Sequence, residues 1–122
     1  MNKLIRLILL GIGACFMVSI TNVCLAVDCL GYVSSLSLQL NQQGTVTVSL
    51  SNSPSYTYLC DIDGQGRNGV SPDVCRVMYS TLMAAKLANK QVSIRFYDYE
   101  NCASVPAWTN AGTLGWTILL TD

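Results

Sequence analysis

The chain has 122 residues, room for one domain, with 7 basic and 7 acidic side chains and no histidine. Charge so balanced argues against a nucleic-acid binder, which needs clustered Lys and Arg to displace counterions, and gives no support to an anionic-membrane partner. The lack of histidine removes the commonest general base and a common zinc ligand.

Residues 1–26 read as an export signal. Lys3 and Arg6 give a positive start, LILLGIGACFMVSI an apolar run, and Cys24-Leu25-Ala26 small residues where a signal peptidase cuts, so cleavage is expected after Ala26. Two other readings stand beside it. Leu4 to Ala26 is long enough for a membrane anchor, although Ser19, Thr21 and Asn22 weaken its end. Ile12-Gly13-Ala14-Cys15 resembles a lipidation box, but the apolar run continues past Cys15. Cleavage leaves residues 27–122 as a single exported domain, periplasmic or secreted. Its five basic and seven acidic residues give a net charge of −2.

Tyr32 to Leu40 ends in period-two alternation, with Leu36, Leu38 and Leu40 on one face, which predicts a half-buried strand. Asn41-Gln42-Gln43-Gly44 turns the chain, and Thr45 to Leu50 alternates again with Val46, Val48 and Leu50 inward, completing a hairpin. After the SNSPS break, Tyr56 to Ile62 forms a third strand. A helix follows: Ser71 can cap it, Pro72 suits its first position, and Asp73 complements its N-terminus. Its expected inward stripe is Val74, Met78, Leu82 and Ala85, widened by Val77, Thr81 and Ala84, and it stops near Asn89. Gln91 to Asp98 is a strand with Val92, Ile94 and Phe96 inward. Residues 100–112 form a loop, and Thr113 to Leu120 is the last strand, with Gly115 a candidate bulge. Three strands, one helix and two strands make a mainly β (α+β) domain or a small barrel crossed by a helix.

Four cysteines remain after cleavage, the number expected of a small exported domain held by disulfides. Of three pairings, the layout favours Cys60–Cys75, joining the third strand to the helix start, and Cys29–Cys102, joining the first strand to the loop before the last. Structural zinc is improbable without histidine or close cysteine pairs. Residues 60–75, CDIDGQGRNGVSPDVC, offer a calcium reading: Asp61 and Asp63 fit positions 1 and 3 of a calcium loop and Gly66 fits position 6. Pro72 stands where the bidentate glutamate belongs, and Arg67 brings a cation. The stretch therefore reads as a clamped surface loop, with no metal or cofactor expected.

Tyr58-Leu59-Cys60, then Cys75, the helix, and Val92-Ser93-Ile94-Arg95-Phe96-Tyr97 resemble the binding subunits of subtilase-cytotoxin-like and typhoid-toxin-like AB5 toxins, over about 40 residues. The resemblance implies a five-stranded OB-like barrel with one helix, and a glycan-binding ring of five subunits. The segment VDCLGYVSSLSLQL departs from the family's sugar-pocket segment, and DYENCASVPAWTN replaces its Trp-rich one. No sugar-binding residue is carried across.

Catalysis has little to work with, and the acid pairs Asp61/Asp63 and Asp98/Glu100 read as surface turn formers. The chain reads as a non-enzymatic binding module. Tyr97, Tyr99, Glu100, Asn101 and Trp108, with Asp98 among them, cluster beside Cys102 and are the candidate ligand residues. An aromatic face can cover a pyranose while polar neighbours take its hydroxyls. The expected partner is a glycan, or alternatively a host or envelope protein surface, with the chain a pentamer or a monomer.

Overall fold

The computed structural model describes residues 26–121, with side-chain detail through residue 115. The leader expected over 1–26 lies outside the described residues except for Ala26. Five strands and one helix follow in the expected order: β1 (Val27–Leu38), β2 (Thr45–Leu50), β3 (Thr57–Asp61), α1 (Pro72–Ala88), β4 (Gln91–Phe96) and β5 (Leu114–Thr121). They form one antiparallel sheet in the order β3-β2-β1-β4-β5. Residues 108–111, just before β5, lie along the outer edge of β3 through a parallel Tyr58–Asn110 bridge. The domain is mainly β, of the α+β class. Its strand order, and a helix between β3 and β4, are consistent with the OB-like barrel.

β1 begins five residues earlier than its alternation suggested, because it serves two neighbours. Val27–Tyr32 pairs with β4, and Val33–Leu38 pairs with β2. Within the second stretch, after Val33, the register slips by one at Ser34. A slip of one residue exchanges the two faces of a strand. Cys29 and Val33 point inward before it, whereas Leu36 and Leu38 pack against the core after it. The Lys86 ammonium donates to the carbonyls of Val33 (3.2 Å) and Ser34 (2.7 Å), tying the last turn of α1 to this bulge. Leu40, expected inward, lies beyond the strand end and is fully exposed.

β2 is buried along its whole length. Val46, Val48 and Leu50 supply the interior as expected, but Thr45, Thr47 and Ser49 are covered too. Neighbouring strands flank β2 on both sides, and loop groups close over its outer face: Asn41 bonds Thr45 through side chain and backbone, and the Ser49 hydroxyl accepts from the Tyr56 amide at 2.7 Å.

The helix boundaries follow the local signals. Ser71 caps with extended backbone and Pro72 opens the first turn. Asn89 closes the helix in the left-handed region at φ 53°. The inward stripe is rotated from the expected one. Cys75, Leu82 and Ala85 are buried, Met78 and Tyr79 pack against the core, and Val77 (66%) and Ala84 face solvent. The Cys60–Cys75 bond sets this phase, since it holds Cys75 against the end of β3. The second bond joins Cys29 to Cys102. Both disulfides are the favoured pairings, and such bonds persist in oxidising compartments.

Val92, Ile94 and Phe96 alternate inward as expected. The pairing of β4 with β5 shifts between Ile94–Ile118 and Phe96–Leu114, the interval that contains Gly115. A Cβ there would come within 2.8 Å of the Arg95 side chain. Arg95 forks onto Asp28 of the facing strand at 2.7 and 2.6 Å. Those hydrogen bonds hold the Asp28 carboxyl below its ordinary range, the guanidinium charge adding to them and slight burial opposing. A carboxyl depressed on folding contributes stability above its unfolded value, which is lost as pH falls through the folded value. Asp28→Asn is therefore expected to lower neutral stability slightly, as befits an exposed pair, and to flatten the stability–pH curve below about pH 4, where it meets that of the parent, as urea melts at several pH values would show.

Candidate functional site

The loop between β3 and α1 is built around a tight reversal. Asn68 and Gly69 both adopt left-handed backbone (φ 56° and 75°), and Arg67 and Val70 exchange two backbone hydrogen bonds. An Asn-Gly pair suits such a two-residue turn. Gly66 has φ 82°, and a Cβ on it would lie 2.2 Å from the Val70 carbonyl, so no other residue fits. The Asn68 amide donates to the carbonyls of Tyr58 (2.8 Å) and Leu59 (2.9 Å), where β3 slips its register against β2.

This turn brings Arg67 back onto the start of the loop. Its Nε donates to Asp61 Oδ1 at 2.9 Å, and the same oxygen accepts from the Thr45 hydroxyl at 2.7 Å. Asp61 is only 4% exposed. Arg67 also donates to Asn110 Oδ1, and its guanidinium lies over the Tyr58 ring at 5.7 Å. Asp63 faces another cation, Arg76, at 3.1 Å, and Arg76 also holds Asp73. The two acids of the calcium reading are thus committed to two different arginines. Among the described residues no three potential metal ligands converge.

Residues 108–111 complete the surface. Trp108 N donates to the Tyr56 carbonyl at 2.8 Å, Tyr58 N to that of Thr109 at 2.9 Å, and Ala111 N to that of Tyr58 at 3.0 Å. This pairing sets the Trp108 ring on that of Tyr56, with centroids 4.7 Å apart and planes 6° from parallel. Both rings are open to solvent, Trp108 at 59% and Tyr56 at 42%. Both residues have left-handed backbone, φ 57° for Trp108 and 47° for Tyr56. Large L-residues rarely adopt that region, and holding one there costs about 1–3 kcal/mol.

The residues singled out from sequence fall in different places. Trp108 stands in this platform. Tyr97 lies half-buried at the end of β4, near Arg95. Tyr99 packs against the core, and burial, followed by the neighbouring Asp98 charge, pushes its hydroxyl above the ordinary tyrosine range. Glu100 is exposed. The Asn101 side-chain oxygen accepts from the Ser104 amide and hydroxyl, both at 2.9 Å, capping the short turn Cys102–Ser104. Asp98 accepts from the Thr113 amide. Sequence reasoning missed Tyr56, Tyr58, Arg67 and Asn110. The Asn68-Gly69 turn was the available sign that Arg67 returns toward Asp61, but nothing local links Tyr56 to Trp108.

A second feature is a groove of about 310 Å³ beside the first half of α1, lined chiefly by Val70, Val74, Val77, Met78 and Leu114. Among the described residues no helix is long and apolar enough to cross a membrane. Comparison with protein-family models, curated proteins and solved structures finds no match for this chain.

Proposed function

We propose that the protein is an exported, non-catalytic binding module that takes a sugar ring on the Tyr56–Trp108 platform. The observation that carries this reading is the pair of stacked, exposed aromatics on left-handed backbone, bonded to each other main chain to main chain. A flat aromatic face covers the C–H face of a pyranose, and Thr109 and Asn110, exposed and next along the chain from Trp108, can take the sugar's own hydroxyls. The face belongs to β3 and the segment before β5, and in OB folds the face of the second and third strands and the loop before the last strand commonly take ligands. The AB5 binding-subunit resemblance agrees with this role, and a ring of five copies belongs to the same proposal.

The test is a glycan array followed by titration of a bound oligosaccharide. Trp108→Ala and Tyr56→Ala are each expected to weaken binding at least about tenfold, roughly 1.4 kcal/mol. Trp108→Gly separates binding from folding. It loses a stacking contact of about 0.5–1.5 kcal/mol but relieves backbone strain of similar size, so its melting temperature is expected to stay close to that of the parent while binding is lost. Unchanged binding in these folded variants would move the site elsewhere.

The groove beside α1 favours a second reading, an exported protein-interaction module whose partner inserts an apolar side chain there. A blank array together with a specific co-purifying protein, lost on Val77→Asp, would support it.

A further inference from the structure

Resting on the platform reading, we infer that the ligand is an uncharged sugar, selected because the guanidinium beside the platform is already engaged by Asp61 and Asn110. Arg67 is the cation that borders the platform, through Tyr58 and Asn110, which lie two residues along from Tyr56 and Trp108. It is bound to Asp61, a carboxylate 4% exposed whose other recorded partner is the Thr45 hydroxyl. A sialic acid, uronate or sulfate that drew Arg67 away would leave that buried charge uncompensated, and a buried charge stripped of its partner is strongly destabilising. The remaining arginines among the described residues are also paired with carboxylates, Arg76 with Asp73 and Asp63, Arg95 with Asp28.

What the platform offers instead is neutral. Arg67 takes the side-chain oxygen of Asn110, which leaves the amide nitrogen of that exposed residue to donate to a hydroxyl. Thr109 is exposed beside it, and the Tyr56 phenol lies at the platform itself. Donors and acceptors without net charge, around an apolar ring face, match a neutral hexose better than an anionic one.

The experiment uses the mature chain on an array of paired oligosaccharides, each neutral structure printed beside its sialylated, uronate-bearing and sulfated counterparts. The strongest neutral hit is then titrated at about 0.05 M and about 0.5 M NaCl. Neutral structures are expected to bind, their acidic counterparts to bind no better, and the neutral Kd to change less than about twofold with salt, because no ion pair forms. Binding confined to acidic structures and weakening about tenfold or more in high salt would overturn the inference while leaving the platform reading intact, provided Trp108→Ala still abolishes it. Silence of the whole array would remove both.

Discussion

Cys29→Ser/Cys102→Ser is expected to lower the unfolding free energy by about 4 kcal/mol, and Cys60→Ser/Cys75→Ser by about 3 kcal/mol, in urea melts of the purified domain. The difference follows from the lengths of chain enclosed, separations of 73 and 15 residues. A cross-link that closes a longer loop removes more freedom from the unfolded chain. Stabilities of small domains are of the same order as these losses, so full reduction is expected to unfold much of the population. Native packing narrows the gap in stability but separates the two bonds in their access to reductant. Cys60 and Cys75 are wholly buried, and losing their bond also frees the rotational phase of α1. Cys102 is partly exposed in a short turn, so a small thiol is expected to open Cys29–Cys102 first, as mass spectrometry of alkylated intermediates would show. A melting temperature indifferent to reductant would contradict the account.

Arg67→Met is expected to destabilise by about 1–3 kcal/mol, the penalty for leaving a buried acceptor without its donor, since Asp61 is buried while the arginine of the pair is 25% exposed. Asp61 has little water to fall back on, and the Thr45 hydroxyl is its one remaining recorded partner. Pairing that change with Asp61→Asn should restore much of the loss, since an amide needs no counter-charge. A double-mutant cycle measured by urea melts would give a coupling well above that of exposed pairs, which is about 0.2–1 kcal/mol. An additive cycle would mean that Arg67 acts through its stacking on Tyr58 and its bond to Asn110 alone. The same variant should loosen the platform, because Asn110 belongs to the segment that carries Trp108.

The residue types between 27 and 121 determined a good deal by themselves. Period-two alternation marked β2 and β4, and Ser71-Pro72 with Asn89 marked the ends of α1, because both signals act within a few residues and need no distant partner. Four cysteines in two separated pairs made the favoured bonds legible from the order of elements. Tertiary structure decided what depends on a partner far along the chain. The bulge at Ser34 exchanged the faces of β1, the bond to Cys75 turned the helix stripe, and Leu40 fell outside the strand its alternation had claimed. The platform belongs to this second class: Tyr56 and Trp108 are set together only where the segment before β5 meets the edge of β3, and their backbone conformations are held by hydrogen bonds across 52 positions of sequence. An aromatic residue carries the same local signal whether it fills a core or faces solvent, so its role is decided where the strands meet.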